Sequence, residues 1–287
     1  MTSPASAQFP WSDVPEPPSG EFRSGRLPAQ AGGGNYIAAR GSRPGPALLA
    51  LVGPWSGYPA VHGVFRLADV LDAHRLAGSL LIRLAGDDAG EVGADLLVPA
   101  GGLLQMAALM PGWSQLATAG TVRTGQTELD DQASRIAKLG GAPFHFALET
   151  DESQAPVSAM ARRGRLAVRW TVPDDPDERA GAVEQVFQGA INMLRGFGML
   201  EGQIVPPESR ELHPPARAIA PVAGYWLPVA RPGQRIRIND SLGSFRDGQG
   251  SELGELLTNV SGILLGISNA VWVEAGEPVA ELARPID

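Results

Sequence analysis

Four histidines, His62, His74, His145 and His213, have the widest chemical reach in this chain, because imidazole binds metals and moves protons near neutral pH. None stands beside a second histidine or an acid at the close spacing of a ligand pair. A composite metal set stays open, in which His62 and His145 join an acid such as Asp69 or Asp95. His145, inside Pro143-Phe144-His145-Phe146, reads better as a hydrogen-bonded strand residue. There are no cysteines, so thiolate metal sites and disulfides are unavailable. Ser56 and Ser153 are the hydroxyls tested as nucleophiles. Gly53-Pro54-Trp55-Ser56-Gly57 lacks the Gly-x-Ser-x-Gly elbow, however, and no His/Asp partner is placed by spacing. The acidic run Asp174-Asp175-Pro176-Asp177-Glu178 could attract a cation, but a solvated helix start favoured by the helix dipole accounts for it.

The elements that would position these groups alternate in type. Ala47-Leu48-Leu49-Ala50-Leu51-Val52 is an unbroken apolar run and predicts a buried strand. A helix is predicted over 59–74, with Val61, Val64, Phe65, Ala68 and Leu71 on one apolar face. Strands are predicted at 80–84, 95–98, 144–148 and 166–172, and helices at 127–139, 153–163 and 177–196, the last capped by Asp177. Strands alternating with helices of this length indicate a mainly parallel sheet covered on both faces, an α/β domain over 36–206. Residues 1–35 are rich in Pro, Ser and Gly without periodicity, so a disordered lead-in is expected there. A partner-clamping tail anchored by Phe9 and Trp11 is the alternative.

Composition narrows the partners. A net charge of −8 over 287 residues, with 44% apolar and 19% charged, argues against a nucleic-acid or anionic-membrane surface. Neither a signal peptide nor an apolar run of membrane-spanning length is legible, and a cytoplasmic setting is expected.

From 214 to the C-terminus the chain turns to short strands and glycine turns, expected to form a β domain. Val222-Ala223-Gly224-Tyr225-Trp226-Leu227-Pro228-Val229 lines up with Val260-Ser261-Gly262-Ile263-Leu264-Leu265-Gly266-Ile267. Downstream, Pro232-Gly233-Gln234-Arg235-Ile236 is paired with Ala275-Gly276-Glu277-Pro278-Val279. Two such copies suit a flattened barrel of interlocking halves, the pattern of biotinyl and lipoyl carriers. A carrier needs a lysine to acylate, and Lys138 is the last lysine, so no prosthetic group is expected.

These stretches carry a resemblance. From about Gly41 onward the chain resembles the succinylglutamate desuccinylase/aspartoacylase family of zinc hydrolases, on the strand before Gly53, on Ala94-Asp95-Leu96-Leu97-Val98, on Ala161-Arg162-Arg163-Gly164-Arg165-Leu166-Ala167-Val168 and on the barrel repeat. The resemblance implies a zinc-carboxypeptidase-like sheet flanked by helices, with a small C-terminal barrel-sandwich domain over 214–287. It also implies His and Glu zinc ligands where this chain has Trp55 and Tyr58, a third His ligand where it has Gly101, and a general-base Glu where it has Thr171 (Trp170 or Val172 after a one-residue slip). None of these is a normal zinc ligand or a carboxylate base. The segment that holds the substrate carboxylate in the family has no room between Leu84 and Ala94.

The expectation is therefore a pseudoenzyme with no metal and no cofactor. It would serve as a structural or regulatory subunit beside a protein partner, a catalytic relative or a pathway enzyme, and a homo-oligomer is a further arrangement open to it. Trp55 and Tyr58 would fill the vacated space, or line a pocket with His62 and His145. An active amide or ester hydrolase with displaced ligands and a small-molecule sensor using the old cavity are the rival readings.

Overall fold

The computed structural model describes residues 9–27, 33–53, 57–84, 97, 100–107, 113–148, 156–173, 179–204 and 208–286. Its first ten strands are β1 (Glu21–Arg26), β2 (Asn35–Arg40), β3 (Arg43–Val52), β4 (Ala77–Leu84), β5 (Gly102–Ala107), β6 (Trp113–Gln115), β7 (Thr118–Val122), β8 (Phe144–Leu148), β9 (Leu166–Thr171) and β10 (Arg210–Leu212). All but β6 form one nine-stranded sheet in the order β1-β2-β4-β3-β5-β9-β7-β8-β10. Five of its eight pairings are parallel. The run 47–52 has no polar side chain because β3 lies inside the sheet, with apolar packing on both faces.

Helices cover both faces. α1 (Gly57–Val70), α2 (Thr127–Leu139) and α4 (Arg179–Gly196) bury Val64, Ile136 and Val186 in one core, and α3 (Pro156–Arg162) buries Val157 and Met160 in the other. The buried stripe of α1 is Ala60, Val64 and Leu67, while the expected Phe65 is 40% exposed. Contact with α4 turns the helix this way. Gly63 lies against Val186 so closely that a Cβ would clash, and Arg66 on the neighbouring face pairs with Glu184. The helix also ends at Val70, four residues before His74, and Asp72 caps a separate 3-10 turn by accepting from the His74 N–H at 3.0 Å.

Two expectations are corrected. Residues 9–27 of the lead-in belong to the fold: Trp11 is 1% exposed and packs in the second core with Phe9, Val14 and Leu27, while β1 pairs with β2 over six residues. Its Pro- and Gly-rich composition hides this, because isolated apolar residues docking onto a finished sheet need no periodicity. Of the strand expected over 95–98, only Leu97 is described, and it does not stand beside β3. That place belongs to β5, and Leu97 is helical.

The C-terminal region adds β11 (Ala216–Ile219), β12 (Gly224–Pro228), β13 (Arg235–Ile236), β14 (Ser241–Arg246), β15 (Glu252–Leu257), β16 (Gly262–Ser268), β17 (Trp272–Val273) and β18 (Pro278–Ala283), in two antiparallel sheets. The repeat is a pseudo-two-fold exchange. Ile236 of β13 pairs with Gly262 of β16, as Val273 of β17 pairs with Gly224 of β12. Asn239 donates its N–H to Thr258 O, as Gly276 donates to Ala220 O, both at 2.8–2.9 Å. The expected downstream register is therefore corrected: 235–236 answers 272–273, and Gly276 answers Asn239 rather than Gly233.

Asn239 is the only described non-glycine residue with positive φ (67°), at the turn where its counterpart Gly276 has φ 90°. Asn tolerates this conformation and Ala does not. Asn239→Ala is expected to lose about 1 kcal/mol in urea unfolding and Asn239→Gly to stay near wild type. Equal losses in the two variants would show that the side chain, not the backbone, is what matters.

The two regions are stitched together. β6 leaves the α/β part to pair with β16, and β10, near the expected boundary, belongs to the large sheet.

Candidate functional site

Parallel strands end side by side, so the carboxyl edge of β3, β5 and β9 is where side chains from distant sequence converge. Gly53 N–H donates to Met106 O at 3.3 Å, and Ala107 pairs with Thr171. The edge therefore runs Gly53, Ala107, Thr171. Thr171 is buried at 4% exposure, held between β5 and the antiparallel start of β7.

Gly101 does not belong to this edge. Its N–H donates to Ala47 O at 2.7 Å, at the opposite end of β3, about 20 Å from Gly53 at ~3.3 Å per residue. The place beside Thr171 falls to Ala107, and the sequence that follows, Ala108-Leu109-Met110-Pro111-Gly112, contains neither histidine nor acid. Trp55 lies outside the described residues, as do Ser56, Ser153, Asp95, the run 174–178 and the shortened segment 85–93.

Tyr58 and His62 point outward, because the inward face of α1 is taken by Ala60, Val64 and Leu67. Tyr58 is 47% exposed, and its ring stacks on His62 with centroids 3.8 Å apart. Tyr58 therefore fills no interior void. Asp69 is exposed on the same helix, and His74 and His213 are exposed elsewhere. His145 is buried in β8, four strands from β3, about 19 Å at ~4.8 Å per strand. His62 and His145 therefore do not form a common pocket.

Among the described residues no three His, Asp or Glu side chains are grouped to hold a metal ion. Among the described residues the zinc implied by the resemblance finds no donor set, since Gly53, Ala107 and Thr171 end the three strands. Among the described residues, no helix is long and apolar enough to cross a membrane.

Over the same edge lies a cleft of about 970 Å³, walled on one side by β6 and α4 and on the other by 228–232 and Asn269 of the β region. Arg231 is its only ionisable lining residue among those described. Amides shape it: Gln115 donates to Val172 O at 3.1 Å, Gln185 to Gly141 O at 2.9 Å and Asn269 to Ser114 Oγ at 2.8 Å. This arrangement can hold a polar or anionic small molecule by hydrogen bonds, and its described lining residues include no carboxylate or histidine that would generate hydroxide. Sequence reasoning missed these four residues, since single amides on separate elements carry no spacing signal.

No family model and no curated protein matches the sequence. Solved structures do. The product-bound ectoine utilization protein EutE (DoeB) from Ruegeria pomeroyi superposes with a TM-score of 0.80 at 16% identity, covering 96% of this chain and 99% of that one. A succinylglutamate desuccinylase/aspartoacylase from Rhodobacter sphaeroides gives 0.76 at 16% identity, over 93% and 96%. An aspartoacylase family protein from Mesorhizobium loti gives 0.73 at 17% identity, over 93% and 96%. At these identities the likeness speaks for architecture, and the chain has the fold of the succinylglutamate desuccinylase/aspartoacylase structures, a helix-flanked α/β sheet with an added antiparallel β domain.

Proposed function

We propose that this chain is a catalytically degenerate relative of the succinylglutamate desuccinylase/aspartoacylase enzymes, acting in the cytoplasm as a structural or regulatory subunit beside a catalytic relative or another enzyme of its pathway. One observation carries the reading: the strand ends that meet at the carboxyl edge present Gly53, Ala107 and Thr171. A Lewis acid that polarises water needs two or three converging donors, and the described residues bring none together there.

Metal analysis of the purified chain tests this directly. Well below one zinc per chain is expected, and added zinc should give no hydrolysis of N-acyl amino acids above zinc in buffer alone. Stoichiometric zinc, with activity lost on chelation, would sink the proposal. Copurification from the native host should return a fixed partner.

The cleft lined by Gln115, Gln185, Arg231 and Asn269 supports a second reading, a small-molecule sensor. Saturating N-acyl amino acid at ~100 times its Kd should then stabilise the chain by about 2.7 kcal/mol in thermal unfolding. The rival built on His62 and His145 has no shared site to work from.

A further inference from the structure

We propose that a separate cleft, bordered by α2 and closed at its inner end by His145, binds a small oxyanion, a carboxylate or phosphate group, through Arg123, Arg135 and Lys138. The cleft measures about 620 Å³ and is bounded by α2 and by parts of β7, β8 and β10. It owes nothing to the carboxyl-edge site, and its standing does not depend on the function proposed above.

Two independent observations meet here. Arg123, Arg135 and Lys138, the last being the only lysine in the chain, all line the cleft, and none makes a side-chain hydrogen bond or ion pair with a described residue. In a chain with 31 acids to 23 basic residues, one cleft gathers three cations that pair with no described residue. Asp131 lies one turn before Arg135 on α2, yet the two do not pair.

The second observation is His145, which is 4% exposed. Its Nδ1 meets Ser209 Oγ at 3.0 Å, while its buried Nε2 has no hydrogen-bond partner. The nearest acid, Glu211, stands 3.9 Å away, beyond hydrogen-bond length, on a half-exposed side chain. A buried imidazole nitrogen left unmatched is destabilising, and an arriving acceptor would relieve that.

The acids in the cleft do not compete equally. Both oxygens of Asp130 are taken, by the N–H and Oγ1 of Thr124 and the N–H of Gly125. Asp131 and Glu128 lie toward the start of α2, about 10 and 15 Å along the helix from Lys138 at ~1.5 Å per residue. Among the described acids, Glu211 is the one beside His145.

Burial, and then Lys138, hold the imidazole below its ordinary basicity, while Glu211 works the other way. A bound oxyanion would offset Lys138 and favour the imidazolium. Binding should therefore take up a proton and strengthen as the pH falls through the imidazole's titration.

The test is calorimetric titration of the full chain with inorganic phosphate and, separately, malonate, at constant ionic strength against chloride, with Lys138→Gln and Arg135→Gln as surface variants. Saturable binding of either anion is expected, weakened at least ~10-fold in Lys138→Gln, the loss of one charge-assisted contact. Which anion binds tells phosphate from carboxylate ligands. The His145 ring resonance should titrate at higher pH in the bound chain. No binding beyond the chloride control, variants that bind like wild type, or an unmoved His145 titration would each overturn it.

Discussion

Trp170→Ala is expected to lower the stability of this chain by about 3–5 kcal/mol, or roughly 6–20 °C in Tm. Trp170 is 1% exposed in β9. Its ring lies beneath the crossing of α2's end and α4, where a Cβ on Gly189 would come within 2.5 Å of it. The ring thus sets the height at which α4 rides over the sheet, and Gly189 leaves room both for it and for the Gly140 carbonyl. Truncation leaves a cavity beneath two helices that cannot collapse independently. A unit of 5–15 kcal/mol total stability would then be near its threshold. Chemical denaturation monitored by far-UV circular dichroism checks this, and a loss under 1 kcal/mol would mean the helices close over the gap.

The second large effect is expected at the N-terminus. Trp11→Ala should lose about 3–5 kcal/mol, whereas Trp272→Ala should stay within about 0.5 kcal/mol. Trp11 is 1% exposed against Phe9, with ring centroids 5.4 Å apart, and shares a core with Leu49 and Leu81. Trp272 is 47% exposed on the outside of the β region. The pair distinguishes an arm that belongs to the fold from one that merely rests on it. If the two tryptophans behave alike in urea, the arm contributes nothing to the folded unit.

These variants mark where sequence reading succeeds. β3 was legible because a strand buried on both faces must be apolar throughout, and β8 because its aromatic and apolar residues read as a strand, although consecutive His145 and Phe146 are both buried. The C-terminal repeat was legible in its first half, where Gly224 and Gly262 hold matching close approaches. It was misregistered in its second half because Pro232-Gly233 and Ala275-Gly276 look alike as text, while the equivalent of Gly276 is the left-handed Asn239. The N-terminal arm was not legible at all. Its order comes from docking Trp11 onto a surface assembled from other parts of the chain, and no local pattern encodes that.

Residue types alone determined which chemistries are open to this protein. There are no cysteines and four scattered histidines, and Trp55 and Tyr58 stand where the resemblance implies a His-x-x-Glu pair, so the spacing of that ligand motif is not in the sequence. Only the tertiary structure decided which residues stand together: Thr171 beside Ala107 instead of Gly101, Tyr58 turned to solvent, and His145 buried four strands from β3. The reason is register. Neighbours across a parallel sheet are set by how whole strands align, and a shift of a few residues along one strand moves a side chain from one edge of the sheet to the other.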